Sequence, residues 1–294
     1  MALEVPRTLS PSKVSTFRDC ALAFRFSAVD RLPEAPSAAA SKGTLVHAAL
    51  ELLFDLPPAS RTLDAALACL AEAADAFRSS PDWTGLGLDE QAEAQFLADA
   101  ERLVRNEFLL EDPAAIRPIG LELMLEAEVG GLRLRGIIDR LELDGDGELV
   151  VTDYKTGRAP TQQRERGRLG GVQFYSLLCE ELFGRRPARV QLLHLQEPVV
   201  LTAVPDEQST RGLRSRVTAI WSAVERACAT EDFRPKPGPL CGWCSFQAFC
   251  PAFGGDPALA RPTLLADGAG PGTIPETVPV AAPVALPLPV ALSS

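Results

Sequence analysis

Lysine is scarce. Only Lys13, Lys42, Lys155 and Lys236 are present, and the other 25 of the 29 basic residues are arginine. That bias fits GC-rich codon usage, and it makes each lysine worth inspection. Histidine is scarcer still, with His47 and His194 alone. Acidic residues outnumber basic ones 39 to 29, for a net charge of −10. A chain so charged does not coat nucleic acid over its whole surface, although a local basic groove remains open to it. No run of 18 apolar residues occurs, which excludes a spanning helix. The segment Met1–Lys13 has no cationic stretch followed by an apolar core, so the sequence predicts no secretory signal and a cytoplasmic location. Thiols stay reduced there, so the seven cysteines need an explanation other than a disulfide framework. No glycine is followed by lysine, which removes a P-loop and with it a motor. No G-x-S-x-G occurs either.

What is present is ordinary globular composition, 46% hydrophobic and 23% charged over 294 residues. A chain of this length buries roughly three quarters of its unfolded surface and needs no staple to fold. Residues 255–294 differ, with eight prolines, four charges and no aromatic residue. Proline at that density blocks helix and central strand alike, so the segment reads as a disordered Pro/Ala-rich tail. The body is then 1–254, with a helical part at about 10–111, a sheet core at about 117–205, and a C-terminal helix and cysteine cluster at 206–254.

Ser10-Pro11 opens a helix that carries Val14, Phe17, Ala21 and Phe24 at helical spacing. A second helix starts near Thr44, and two more lie near 62–79 and 89–111 with Thr62 and Asp89 as caps. The period then changes. Residues 119–129 alternate strictly, Gly130-Gly131 turns the chain, and 132–143 return. The apolar phase slips at Gly136-Ile137-Ile138, as a bulge makes it slip. A third strand runs from Leu149 into Asp153-Tyr154-Lys155. A helix at 172–183, strands at 189–195 and 199–204, and a long helix at 206–229 complete the body.

Asp153 and Lys155 are two apart on a strand and so face the same way. Asp139 sits on the preceding strand. Two carboxylates converging from neighbouring strands form a hard oxygen site suited to Mg²⁺ or Mn²⁺. Such an ion can activate water and neutralise charge on a phosphoryl oxygen. A bare D-x-K is more often a surface ion pair, but the flanking pattern here is longer. It reads Gly136-Ile137-Ile138-Asp139-Arg140, then Val150-Val151-Thr152-Asp153-Tyr154-Lys155-Thr156-Gly157.

That string resembles the motif region of RecB-like nucleases of the PD-(D/E)XK superfamily. The resemblance implies a restriction-endonuclease-like α/β core, a mixed sheet flanked by helices behind an N-terminal helical region. It implies metal binding by Asp139, Asp153 and the carbonyl of Tyr154, and a water-assisting role for Lys155. Gly43-Thr44-Leu45-Val46-His47 resembles the family's N-terminal helical motif, which makes His47 a further metal ligand. His194 has no such frame and reads as structural. Glu122 matches an acidic position of the first hairpin strand, with a solvated strand face as an equal reading.

Cys241-Gly-Trp-Cys244 and Cys250 place three cysteines within ten residues, which in a reduced compartment points to metal. Cys20 is the natural fourth. One N-terminal and three C-terminal cysteines resemble the iron–sulfur staple of AddB-type and CRISPR-associated nucleases, implying a [4Fe–4S] cluster, with Zn²⁺ as the alternative. Cys69, Cys179 and Cys228 read as core. The family's Q-x-x-x-Y motif is only approximated by Gln173 and Tyr175, which become candidate substrate contacts. Arg158, Arg164, Arg166 and Arg168 fall in a Gly/Arg-rich stretch expected to be a loop, where they would clamp phosphates. The function implied is a metal-dependent DNA exonuclease acting on DNA ends or single strands in recombination or repair, whose motor, if any, comes from a helicase partner. The rival reading is a non-catalytic DNA-binding or scaffold subunit of such a complex.

Overall fold

The computed structural model describes residues 3–159 and 162–260, without the side chains of 162–172. Side-chain caps set most of the N-terminal helices. Ser10 accepts from Lys13 N ahead of Pro11, and α1 (Pro11–Asp19) follows. The helix does not run through to Phe24. Cys20 is extended at φ −158° and ψ 111°, and α2 (Ala21–Phe24) restarts beyond it and widens into a π-turn at Arg25–Val29. α3 (Ala38–Asp55) begins six residues before Thr44 because Ser37 caps Ala40 N. α4 (Leu63–Phe77) and α6 (Glu90–Leu110) start at the expected caps Thr62 and Asp89. Between them the short α5 (Pro81–Leu86) was not legible as a helix. Its Trp83 packs edge-on between Phe77 and Phe96, at 5.9 and 5.4 Å.

The strands are β1 (Pro118–Val129), β2 (Leu132–Leu143), β3 (Leu149–Lys155), β4 (Arg189–His194) and β5 (Val199–Ala203), ordered 1-2-3-4-5 in one sheet. Gly130 and Gly131, both at positive φ, close the β1–β2 hairpin. Only β3 and β4 are parallel, and that pairing requires a crossover. The crossover is α7 (Gln162–Phe183). It corrects the expected loop, since the backbone of Arg164, Arg166 and Arg168 is helical. Their side chains lie outside the described residues, and so does the role expected of them. A final helix, α8 (Glu207–Thr230), is capped reciprocally by Asp206 and Ser209.

One face of the sheet packs Leu134, Ile138, Leu141 and Val151 against Phe174, Leu177 and Leu178 of α7 and Leu213 and Val217 of α8. The other meets α3, α4 and α6 through Val46, Leu50, Leu53, Leu70, Leu103 and Tyr154. A third cluster joins the two ends of the body. It holds Leu22, Phe24 and Phe26 against Val224, Phe233, Phe246 and Ala260, so packed structure runs past the expected end of the body at 254 to Ala260, and the rest of the expected tail, 261–294, lies outside the described residues. No helix among the described residues is long and apolar enough to cross a membrane.

The phase slip in β2 is real, but it falls one residue later than expected and is not the bulge that the sequence suggested, since the β1–β2 register shifts between Pro118 and Gly120 and not at 136–139. Ile138 and Leu141 pack on the same face, whereas Arg140 lies over the Phe54 ring on the other, so the strand turns over at Asp139. β1 turns over with it. Leu121 joins the helical side and Leu123 the opposite side, with Glu122 between them at φ 42°. The pairs Leu121↔Arg140 and Leu123↔Ile138 keep one register, so Glu122 and Asp139 share a single crease across the two strands.

Candidate active site

Asp139 and Asp153 meet where two strands part. The β2–β3 ladder ends at Arg140↔Thr152, so the next position on each strand is an aspartate. There Tyr154 N donates to Asp139 Oδ2 at 2.6 Å, a side-chain acceptor in place of a ladder carbonyl. Asp153 is buried and forms an ion pair with the half-exposed Lys155. Tyr175 Oη donates to Asp153 Oδ1 at 3.4 Å.

α3 delivers His47 to the same place. Its ring nitrogen Nδ1 lies 3.7 Å from Glu122 Oε1 and 3.6 Å from Asp139 Oδ2, while Nε2 is 3.2 Å from the Tyr154 carbonyl oxygen. Gly43, one turn before His47, lets the helix approach, since a Cβ there would sit 3.2 Å from Thr156 Oγ1. Gly136 plays the same part for α7. A Cβ on it would lie 2.9 Å from Leu178 Cδ1 and 3.1 Å from Tyr175 Cε1. The glycines of both sequence motifs are thus seats for the helices that carry His47 and Tyr175.

The electrostatics are those of a crowded acidic pocket. Burial and then the Asp153 charge push Asp139 up to about 7. His47 is pulled both ways. Burial disfavours its charged form, but Glu122 and Asp139 favour it and the net shift is upward. Tyr175 is raised by burial and by the two aspartates, so its phenol stays protonated and can only donate to Asp153. Among the described residues, His47, Glu122 and Asp139 bring one ligand atom each within 4.8 Å of one another, and the three could hold a metal ion. Two carboxylates and an imidazole are a donor set that suits a divalent cation. The acidic crowding fits as well, because a cation would relieve it.

Glu122 is the residue that alternation alone could not separate from a solvated strand face. Its signal is positive φ at the crease, which no sequence pattern displays. A second feature lies behind the site. Arg140, fully buried, donates to Glu111 Oε2 at 2.8 Å and to Tyr154 Oη at 2.6 Å, and lies 3.1 Å from Glu142 Oε2. It fixes the side chain of the residue whose main chain touches both Asp139 and His47.

Other expected residues are distributed less tightly. Gln173 is two residues from Tyr175 on α7, a spacing that does not share a helix face. Arg158 is exposed, just after β3. His194 is buried in β4 opposite Lys155. Cys20, Cys241, Cys244 and Cys250 line one cavity of about 480 Å³, together with Phe26, Phe246 and Trp243. Burial first, then the neighbouring Cys20, Cys241 and Cys250, raise the Cys244 thiol. Cys69, Cys179 and Cys228 are buried, and burial pushes Cys179 up to about 12.

Known proteins resemble this chain over much of its length. The gene 69 protein of Mycobacterium phage D29 is 25% identical over 276 residues, covering 83% of this chain and 96% of that protein. The gene 69 protein of Mycobacterium phage L5 is 30% identical over 136 residues, covering 45% of this chain and 44% of that one. A solved structure of a candidate exonuclease from Eubacterium rectale superposes with a TM-score of 0.52 at 12% identity, over 81% of this chain and 87% of that one. At that identity the likeness is one of fold. The sequence profile of one family matches residues 8–251, a span that holds His47, Asp139, Asp153, Lys155 and all four cavity-lining cysteines. The chain belongs to the PD-(D/E)XK nuclease superfamily.

Proposed function

We propose that the protein is a divalent-metal-dependent DNA nuclease, a RecB-like exonuclease working on DNA ends in recombination or repair. The observation that carries the reading is the convergence of His47, Glu122 and Asp139 beside the Asp153–Lys155 pair, at the fork between two strands. His47, Glu122, Asp139, Asp153 and the Tyr154 carbonyl would hold Mg²⁺ or Mn²⁺. The ion, when bound, supplies charge that neutralises a phosphoryl oxygen and acidifies a water. Asp153 orients the Lys155 ammonium, which holds the attacking water by hydrogen bond. Tyr175 keeps Asp153 in place and cannot itself act as a base. The buried Tyr154 and Arg140 wall excludes solvent from behind, which strengthens each of these interactions.

Within the same reading, Cys20, Cys241, Cys244 and Cys250 ligate a [4Fe–4S] cluster that staples the N-terminal helix to the C-terminal segment. Four cysteines around one cavity support it. The ligand cysteines serve structure, since the distinct group at His47 carries the chemistry.

The test is digestion of end-labelled linear and covalently closed circular DNA with Mg²⁺, with Mn²⁺ and with chelator. Release of label from the linear substrate alone, abolished by chelator, is the expected result. Cleavage of the circle reassigns the activity as endonucleolytic. Binding without cleavage under every condition leaves the scaffold reading in its place.

A further inference from the structure

Between the crease and the Gly130-Gly131 turn, the two faces of the β1–β2 hairpin differ. Leu123, Leu125 and Ile138 pack on the face that α7 and α8 cover. Gly136 points the same way, since a Cβ on it would meet Leu178 and Tyr175 of α7. By strand alternation Met124 and Ile137 point to the opposite face. That is the face on which α3 brings His47 to Glu122 and Asp139. The helices cover it at Leu121 and at Arg140, which lies over the Phe54 ring. Just past the crease the cover ends, and Met124 and Ile137 are 39% and 42% exposed.

Met124 and Ile137 are direct cross-strand partners. Their Cβ atoms are then about 5 Å apart, close enough for one continuous apolar surface. Met124 is two residues from Glu122 and Ile137 two from Asp139, both candidate metal ligands. Two residues along a strand span roughly 6.6 Å, at about 3.3 Å each. A single exposed Met or Ile needs no explanation. A facing pair at this place does. The next pairs along the same face are Glu126↔Arg135 and Glu128↔Arg133, and Arg133 Nε lies 3.3 Å from Glu126 Oε1. A strand face that only meets water is polar throughout, as those later pairs are. The apolar step comes beside the metal site instead. It offers neither donor nor charge, so it cannot hold a phosphate. What it fits is the flat face of a nucleobase.

We propose that Met124 and Ile137 form a platform for the nucleobase that adjoins the scissile phosphate. The inference rests on the nuclease reading above and names the part of the substrate that the site selects. The phosphate goes to the acidic site and the base to the apolar step beside it. A base inside a duplex has both faces covered by its neighbours. The platform therefore takes an unpaired nucleotide, in a single strand or at a frayed end. Contact is through the face of the base, which every base has, so the platform is indifferent to sequence.

The double variant Met124→Gln, Ile137→Thr tests it. The substitutions make the pair polar while keeping a long side chain at 124 and a β-branched one at 137. Exposed changes of this kind should leave the melting temperature and Mn²⁺ binding as in wild type. End-labelled single-stranded oligonucleotides are digested with Mg²⁺. One abasic nucleotide is stepped along them, so that the missing base falls on either side of each scissile bond in turn. In wild type, one of the two placements should lower kcat/KM for the adjoining bond about tenfold, the scale of one lost apolar contact. The double variant should cut intact DNA with kcat/KM lowered about tenfold and should show no further abasic penalty. Its loss should appear in KM, because the contact holds in ground state and transition state alike. Met124→Leu with Ile137→Val, which keeps the pair apolar, should restore the penalty. If the wild type cuts no DNA, the nuclease reading falls and the platform falls with it. If the wild type cuts but is indifferent to the abasic nucleotide, or if the double variant keeps the abasic penalty, the platform alone is wrong.

Discussion

Glu122 faces Asp139 across the β1–β2 ladder at the crease where both strands change the side they bury. Neither residue pairs as an ordinary strand residue there. Glu122 adopts φ 42°, which costs an L-residue about 1 kcal/mol or more. Strain of this kind persists where the surroundings hold it, and here it turns the Glu122 carboxylate toward His47. Glycine in a strand interior usually costs about 0.5–1 kcal/mol. At this position the relief of strain offsets that cost. Glu122→Gly should therefore melt within a degree or two of wild type, whereas its Mn²⁺ affinity should fall at least ~10-fold with the loss of a charged ligand. Calorimetric melts and metal titration separate the two effects. A Glu122→Gly protein that binds Mn²⁺ like wild type removes Glu122 from the metal site.

Asp153→Ala and Lys155→Ala should each lower cleavage at least ~100-fold with the fold retained, the usual scale for one catalytic group. Tyr175→Phe should fall short of that, because it removes a hydrogen bond to Asp153 and leaves the carboxylate in place. Circular dichroism and initial rates under saturating Mg²⁺ check the order. Near-normal digestion by folded Lys155→Ala would remove the ammonium from the mechanism.

Much of this is legible in the amino-acid order alone. Caps at Ser10, Thr62 and Asp89 place three helices, because a side-chain oxygen beside free N–H groups is a local signal. Asp139, Asp153 and Lys155 are legible because strand spacing alone puts two of them on one face. What escapes is set by tertiary partners. The break at Cys20 interrupts an unbroken helical pattern. The helical backbone of 162–171 overrides a glycine- and arginine-rich composition. The crease at Glu122 depends on two strands turning over together, and alternation within either strand cannot show it.

The pH dependence of the metal-free protein follows from Asp139. Its folded value of about 7 is above that of an unfolded aspartate, so between about pH 4 and 7 the native state holds a proton that the unfolded chain has lost. Stability from this group is thus greatest at low pH and declines as pH rises through that window. His47, also raised, acts in the same sense, since its contribution is lost as pH passes its folded value. Metal-free protein should melt higher near pH 6 than near pH 8. Mg²⁺ or Mn²⁺ should raise the melting temperature strongly near pH 8 and weakly near pH 5.5, where the proton competes for the ligand. Asp139→Asn should flatten the metal-free profile and abolish the metal-induced shift. A metal shift that is independent of pH would contradict the assignment of Asp139 as ligand.

The buried Arg140 stands among Glu107, Glu111 and Glu142, an excess of acid for one guanidinium. Burial and the Glu111 charge raise Glu107 well above the carboxylate range, so it is held neutral. Glu107→Gln should accordingly change stability by less than about 1 kcal/mol. Arg140→Met should cost about 3–5 kcal/mol, because it leaves Glu111 and Glu142 buried and unpaired. Urea unfolding of the two variants provides the comparison. Equal losses would mean that Glu107 is charged and shares the arginine.

The last prediction concerns the cysteines. Cys20→Ser should behave like Cys241→Ser, Cys244→Ser and Cys250→Ser, and unlike Cys69→Ser or Cys179→Ser. The first four line one cavity, whereas Cys69 and Cys179 are packed in the core. Cys20 is also the residue at which the first helix breaks, and its extended backbone lets the chain turn there between α1 and α2. If the four share a cluster, they close a loop of more than two hundred residues. A tie across so long a loop removes unfolded-state entropy worth about 4–5 kcal/mol, by analogy with a disulfide of that span. Apolar contacts between Phe26 and Phe246 join the same two segments, so loss of one ligand should loosen them without unfolding the sheet. The four variants should therefore lose iron and visible absorbance together, become sensitive to protease near residues 230–254, and keep Mn²⁺ binding at His47. A colourless wild-type protein holding one zinc makes the staple a zinc site. Full iron in Cys20→Ser beside none in Cys244→Ser puts the fourth ligand elsewhere and breaks the end-to-end tie.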